Sequence, residues 1–410
     1  VEIIAPGFHQ SRELTISLVQ ILFPGVALLV LSAWCLGVLN SHRKFFLSYV
    51  SPVLWNSALI AAAILAGRRL AGHDDDIATW LAWGAVIGSA LQLLAQLPTV
   101  IALLRGFRPS LAVRDPGVRT TLRAFLPVLL GRGSVQLSGY LDTVLASFLG
   151  ESIVAAMGYA QIVYLLPVSL FGMAVSAAEL PEMSSALGDA SARAEHLQAR
   201  LRVALRRVVF LVVPSAVAFV AIGGAIVGLL FQTGRFGAHD TDVVWIILAG
   251  SAIGLSASTQ GRLLGSAFYA LGDPKPPLYA ALVRVAFTGV LGYTFALPLR
   301  DSIGYSAAWG AFGLTASAGF AAWIEFELLR RWLVVRIGAV PVPVRLGLGA
   351  LAAAVLAGAL GLAVWHFVPL RTSLRALASI GVFGVTYVGV MSIAKVPEAA
   401  ALTRRLRRRR

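Results

Sequence analysis

The sequence predicts an all-α, polytopic membrane protein with about eleven transmembrane helices. Two observations carry this. Apolar runs of the length a span needs, roughly 20 residues, follow one another from Leu14 to Ala394. Hydrophobic residues form 58% of the chain and charged residues 13%, about half the charged share of a soluble domain. The mean hydropathy is +0.82.

Uncharged runs cover 14–39, 45–67, 77–104, 152–178, 208–234, 302–324, 346–370 and 376–394. Three more, 124–149, 243–270 and 276–299, are interrupted by charge. So many runs in succession argue against the buried helices of a soluble protein. Pro24, Pro52, Pro98, Pro127, Pro167 and Pro214 lie inside runs and predict kinks. Most tryptophans lie near run ends, as expected of side chains seated at the two interfaces.

Lysine and arginine set the orientation, because cytoplasmic loops retain them. The side reached after the first run holds Arg43, Lys44, Arg105, Arg108, Arg114, Arg119, Arg193, Arg200, Arg202, Lys275, Arg330, Arg331, Arg336 and Arg345. The tail adds Lys395, Arg404, Arg405 and the run 407–410. The other side holds Arg12, Arg68, Arg69, Arg235, Arg300, Arg371 and Arg375. The first side and the C-terminus are therefore expected in the cytoplasm, and Val1 outside. This bias explains the net charge of +15 without a nucleic-acid partner. The basic tail is expected to bind anionic membrane lipid or to act only as a topological anchor.

Residues 1–13 are polar and carry no signal-like apolar region, so the chain reads as the remainder of a longer protein. Cys35 is the single cysteine, which excludes an internal disulfide, and the six histidines are scattered without metal-ligand spacing. No metal or cofactor is expected. The run Asp74 to Asp76 reads as a solvated loop face.

Three arginines lie within runs. Arg132, Arg262 and Arg284 each sit eight or nine residues from the cytoplasmic end of their run, roughly 12 to 14 Å deep at helical rise. A charge at that depth normally faces a cavity. Guanidinium forks match phosphate oxygens, so the three are expected to form a ring that receives an anion. The alternative is snorkelling or pairing with carbonyls. Asp142 reads as the only carboxylate deep within a run, nearer the outer end, with Arg284 as its expected partner. It is either a proton or cation switch or one half of a permanent ion pair. Gln161 and Tyr164 either hydrogen-bond a headgroup or pack between helices.

A weak internal repeat relates Leu36–Lys44 to Ala267–Lys275: each ends one run, and a lysine closes the turn before the next. Repeated hairpins suit a two-lobed transporter.

Several motifs recur in the order of a known family. They are Ala5-Pro-Gly-Phe8, Phe23-Pro24, Gly37-Val-Leu-Asn40, Arg43-Lys-Phe-Phe46, Ser51-Pro-Val-Leu-Trp-Asn56, Gln92-Leu-Leu-Ala-Gln-Leu-Pro98, Leu141-Asp-Thr143 with Ala146-Ser-Phe-Leu149, Leu166-Pro-Val-Ser-Leu-Phe-Gly172, Leu180-Pro181 and Ala267-Phe-Tyr-Ala-Leu-Gly-Asp273. Over most of the chain they resemble the MurJ (MviN) lipid II flippases. The resemblance implies a family of fourteen spans, with two six-span lobes in a V and two further helices lining a groove for the lipid tail. It places Leu14 in the fourth span, so the bundle is expected to be an incomplete two-lobed one. Residues 1–118 would be the remainder of the first lobe, 119–336 the second lobe, and 337–410 the groove helices and basic tail.

The sequence departs from that pattern in places. Ala160-Gln161-Ile162 stands where the family often has Ala-Asp-Arg, so an arginine is replaced by Ile162. The sodium site of some members uses the acidic residue matching Asp142. Its Asn and Asp one turn apart correspond here to Thr288 and Gly292, which puts sodium coupling in doubt.

The resemblance implies a transporter rather than an enzyme, in a bacterial plasma membrane. It would move lipid II, or another polyprenyl-pyrophosphate-linked glycan, from the cytoplasmic to the outer leaflet by alternating access. An inactive truncated paralogue acting as a scaffold is the competing reading. A drug exporter for cations should line its cavity with carboxylates, and three arginines against one carboxylate speak against it. A membrane glycosyltransferase would need positioned acid–base or metal groups, which the outer loops do not supply.

Overall fold

The computed structural model describes residues 6–8, 11–70, 72–104, 116–119, 125, 139–184, 190–340, 342–369 and 371–400. The elements are α1 (Arg12–Ser41), α2 (Phe45–Arg69), α3 (Asp74–Leu103), α4 (139–147), α5 (Glu151–Pro167), a π-helical turn (Val168–Met173), α6 (Ala174–Ser184), α7 (Ala190–Ala221), α8 (Gly223–Phe231), α9 (Ala238–Ala270), α10 (Lys275–Ala296), α11 (Pro298–Ile303), α12 (Ala307–Ile337), α13 (Val344–Phe367) and α14 (Thr372–Ile393). Among the described residues, ten helical segments are long and apolar enough to cross a membrane. The eleventh expected run, 124–149, lies mostly outside the described residues, and its end forms α4.

Several elements differ from their apolar runs. The run 302–324 begins in α11 and stops inside α12, because Glu325, Glu327, Arg330 and Arg331 continue that helix to Ile337. The run 208–234 is divided at Ile222 into α7 and α8, and α7 begins far upstream in a basic, amphipathic segment. The chain forms two compact units, one mainly residues 8–119 and the other mainly residues 120–410.

In the first unit α3 packs against both α1 and α2. Small residues allow this. A Cβ on Gly84 would lie 2.4 Å from Ala62 Cβ, and one on Gly88 would lie 2.9 Å from the Trp55 carbonyl oxygen. Polar links cross the same seams: Trp55 Nε1 donates to the Ala85 carbonyl at 3.2 Å, and Gln92 Nε2 to Ser32 Oγ at 2.9 Å. Without water between helices in a bilayer, such packing and such bonds supply the association.

In the second unit α9 is the central helix, with α12, α7, α5, α10, α6 and α8 around it. Its tightest seam is with α12. Gly250 and Gly254 stand one turn apart in a small-xxx-small pattern. A Cβ on Gly254 would meet Gly319 Cα at 2.4 Å, and one on Gly250 would meet the Phe312 carbonyl oxygen at 2.7 Å. Thr315 Oγ1 donates to the Ile247 carbonyl at 3.0 Å and Trp323 Nε1 to that of Ile253 at 2.9 Å. Trp245 likewise bonds the carbonyl of Phe219 across to α7, at 3.1 Å. Trp55, Trp245 and Trp323 thus tie helices together, where the run-end pattern had placed them in an interfacial belt.

The helices α13 and α14 pack on each other, with α13 also on α7 and α14 on α8. Tyr387 Oη donates to the Phe210 carbonyl at 2.6 Å. Beyond α14, Glu398 takes Arg206 in a two-bond fork, Nε to Oε1 at 2.7 Å and Nη2 to Oε2 at 3.0 Å. Both hairpins of the expected repeat open with the same kind of helix stop, but the stop is not particular to them: Lys395 is also left-handed, and the Val396 amide closes onto the Met391 carbonyl at 3.1 Å. Arg43 and Gly272 both adopt left-handed conformations, and in both turns the next amide closes onto the carbonyl five residues back, Lys44 to Leu39 at 2.8 Å and Asp273 to Phe268 at 3.0 Å. This is the six-residue helix stop of the Schellman type. The matching places Lys44 opposite Asp273, two residues out of step with the lysine alignment.

Two outcomes are expected. Gly254→Ala should lower the unfolding free energy by about 1–3 kcal/mol, the cost of overpacking, whereas Gly265→Ala, where a Cβ meets nothing within 4 Å, should be neutral or stabilising; thermal unfolding in detergent reads both, and equal shifts would refute the seam. For Glu398, burial raises the carboxyl pKa, but the Arg206 fork outweighs it, and the group ends below its ordinary value of 4.5. A depressed carboxylate pKa contributes stability above the unfolded-state value, lost as pH falls through the folded-state value. Amide protection factors at 396–400, taken relative to the intrinsic exchange rate at each pH, should therefore stay high at neutral pH and fall below about pH 4.5. Glu398→Gln should exchange fast throughout.

Candidate functional site

A cavity of about 470 Å³, bordered by charged and polar side chains among apolar ones, opens within the second unit, lined from α4, α5, α9, α10 and α12. The glycine seam shapes one wall, since Gly254 and Gly319 line it and bring α9 and α12 into backbone contact. Asp142, Gln161, Tyr164, Arg262 and Arg284 all border this space. Arg132 lies outside the described residues.

The two arginines share a level. Arg262 stands eight residues before the end of α9 and Arg284 nine residues after the start of α10, about 12 and 14 Å along antiparallel helices from the same end. Their circumstances differ. Arg262 is exposed, and among the described residues its guanidinium has no ion-pair or hydrogen-bond partner. Arg284 is partly buried and gives Nη1 to Glu325 Oε2 at 3.0 Å, while its Nε, shielded from solvent, has no hydrogen-bond partner among the described residues.

Glu325 corrects the reading that Asp142 is the only deep carboxylate. It stands twelve residues before the end of α12, about 18 Å along the axis, and its side chain is 17% exposed. The reason is plain in the sequence: the uncharged run stops at Ile324, so Glu325 looked terminal, whereas the helix continues. Glu325, and not Asp142, is the ion-pair partner of Arg284. Asp142 borders the same cavity. Its Oδ1 is shielded and has no hydrogen-bond partner among the described residues. A second buried carboxylate, Glu179 in α6, is matched by Arg200 at 2.8 Å and Arg207 at 3.6 Å.

On α5, Tyr164 Oη and Ser258 Oγ lie 3.0 Å apart, and Ser258 in turn donates to the Leu255 carbonyl at 3.3 Å. Tyr164 is thus tied to α9, and Gln161, one turn earlier and exposed, borders the cavity. Ile162 is 54% exposed and is not among the lining residues. Thr288 is fully buried, and a Cβ on Gly292 would strike Leu314 Cδ1 at 2.7 Å; neither position offers a carboxylate to a cation. Among the described residues no three His, Cys, Asp or Glu side chains gather as a metal site.

Chemically, the cavity offers one unengaged guanidinium, one singly engaged guanidinium, a phenol, an amide and two carboxylates. Sequence reasoning missed Glu325 and Ser258. Helical continuation past the apolar run was the available signal for Glu325, and Ser258, a small hydroxyl in an apolar helix, gave none.

The family model for the lipid II flippase MurJ matches residues 1–382. The lipid II flippase MurJ of Burkholderia cenocepacia is 33% identical over 80% of this chain and 61% of that protein, so the matched part is less than two thirds of that relative. The probable lipid II flippase MurJ of Rhizobium meliloti is 31% identical over 96% of this chain and 73% of its own. A solved structure of the lipid II flippase MurJ in an inward closed conformation superposes with a TM-score of 0.76 at 20% identity, over 96% of this chain and 77% of that one, which establishes a shared fold. Together with ten membrane-length helices, these matches place the chain in the lipid II flippase MurJ family of multi-pass membrane proteins.

Proposed function

We propose that this chain acts in moving lipid II across a bacterial plasma membrane, and that its second-unit cavity receives the diphosphate of the headgroup. The observation that carries the proposal is Arg262: a guanidinium at membrane depth, bordering the cavity, without a partner among the described residues. An unpaired cation there is costly unless an anion or water meets it, and a phosphate matches its fork. Arg284 offers a second donor edge at the same level. Gln161 and Tyr164 are suited to hydrogen-bond the sugar or peptide part of the headgroup.

The arginine and lysine distribution supports an orientation with the ends of α9 and α12 and the C-terminus in the cytoplasm, so the anion would enter from the cytoplasmic side. On this reading residues 1–118 belong to the first lobe, 119–336 to the second, and 337–410 to the two helices that guide the lipid tail. Rocking of lobes about the loaded site would carry the headgroup outward. The basic residues 404–410 would rest on anionic lipid, each contributing up to about 1 kcal/mol near the surface.

Complementation of a flippase-depleted bacterium, scoring lipid II exposed outside, tests this. Arg262→Ala should cut exposure about 10- to 100-fold at equal protein level, since a lost charge-assisted bond is worth roughly 1.5–3 kcal/mol. Arg262→Lys should restore it in part, keeping the charge and losing the fork. Wild-type exposure in Arg262→Ala would remove the cavity from the transport path.

A further inference from the structure

Three ionisable side chains from three helices meet around the cavity: Asp142 on α4, Arg284 on α10 and Glu325 on α12. There are two carboxylates for one engaged guanidinium. In the arrangement observed Glu325 holds Arg284, and Asp142 is left with a shielded Oδ1 that has no hydrogen-bond partner among the described residues. Arg284 is engaged through Nη1 alone, with Nε unmatched. Asp142 is half-buried, and a carboxylate with one oxygen shielded and unmatched is costly to keep ionised, which favours uptake of a proton. Asp142 lines the same cavity as the Arg284–Glu325 pair.

We infer that Asp142, Arg284 and Glu325 form a one-proton relay, in which Arg284 pairs with one carboxylate while the other carries the proton. In the first arrangement Glu325 is ionised on Arg284 and Asp142 is the neutral acid. In the second, Asp142 is ionised on Arg284 and Glu325 is the neutral acid. Each arrangement holds one cation, one anion and one proton, so the exchange leaves the net charge unchanged. The two acids stand at different depths. Asp142 is eight residues from Gly150 at one end of the bundle, and Glu325 is twelve residues from Ile337 at the other. On the orientation proposed above, the relay accepts a proton from outside at Asp142 and releases it toward the cytoplasm from Glu325. The relay itself does not depend on the cargo; its use to drive movement rests on the flippase reading.

The other charged groups around these acids are accounted for. From α9 Arg262 faces the same cavity, and from α5 the Tyr164 phenol is held by Ser258. On α12 itself Glu327 is engaged by Arg330 and Arg331, both at 2.8 Å. On α7, which packs against α12, Arg200 and Arg207 are engaged by Glu179. No other carboxylate among the lining residues competes for Arg284.

Infrared difference spectroscopy of the purified full chain in ester-free detergent at neutral pH tests the relay, by following the carbonyl band of protonated carboxyl groups. Asp142→Asn should lose one carboxylic-acid equivalent relative to wild type. Glu325→Gln should also lose one, although it removes the ionised partner, because the freed Arg284 turns to Asp142 and ionises it. Arg284→Gln, which alters neither acid, should gain one equivalent, since both acids then carry protons. An unchanged band in Glu325→Gln, an unchanged band in Asp142→Asn, or no gain in Arg284→Gln each overturns the relay. These spectra need no substrate, so their failure is separate from a failure of the complementation test.

Discussion

A charge inside the hydrocarbon layer must find a partner or water, and much of the second unit is arranged around that constraint. Arg284 meets Glu325 across a helix seam, and Glu179 meets two arginines of α7. Arg262 has no such partner among the described residues, and it stands where the helices part to leave a cavity. In lipid the energy of an unmatched guanidinium is too high for it to be an accident of sequence. Its exposure to that cavity is therefore the feature from which function is argued.

The cavity exists because the helices around it are held by contacts that do not fill it. Glycines at 250, 254 and 319 bring α9 and α12 into backbone contact, and hydrogen bonds from Thr315 and Trp323 fix their register. These bonds lie along the seam, so the charged side chains are left to face the space beside it. A π-helical turn follows Pro167, and Gly172 within it sits so close to Thr259 that a Cβ would approach Cγ2 at 2.5 Å.

Much of this was legible in the sequence, for physical reasons. Long apolar runs reported the helices, because a span has no other means of satisfying its backbone. Intramembrane arginines pointed to the cavity that Arg262 and Arg284 border, because their cost marks them out. The pairing was not legible. Reading runs as uncharged windows ended one at Ile324, and so left Glu325 out of the deep carboxylates although it lies inside α12. Asp142 was expected to pair with Arg284 on another helix, yet which side chains meet depends on helix rotation, which glycine contacts set and composition does not record. Tryptophans near run ends suggested interfaces, although Trp245 and Trp323 bond carbonyls of neighbouring helices; an indole N–H serves either purpose.

The central claim is that the cavity is open to water and favours anions. Cysteine accessibility tests it most directly, in a background where buried Cys35 is replaced by serine. Single cysteines at Thr143 and Ser251, which line the cavity, should react with small charged thiol reagents, while one at Val290, 67% exposed on the helix bundle but outside the cavity lining, should not. The anionic reagent should outpace the cationic one at both cavity positions, and removing the Arg262 guanidinium should erase that preference. Equal or cation-favouring rates at Thr143 and Ser251, or no reaction there, would contradict the account.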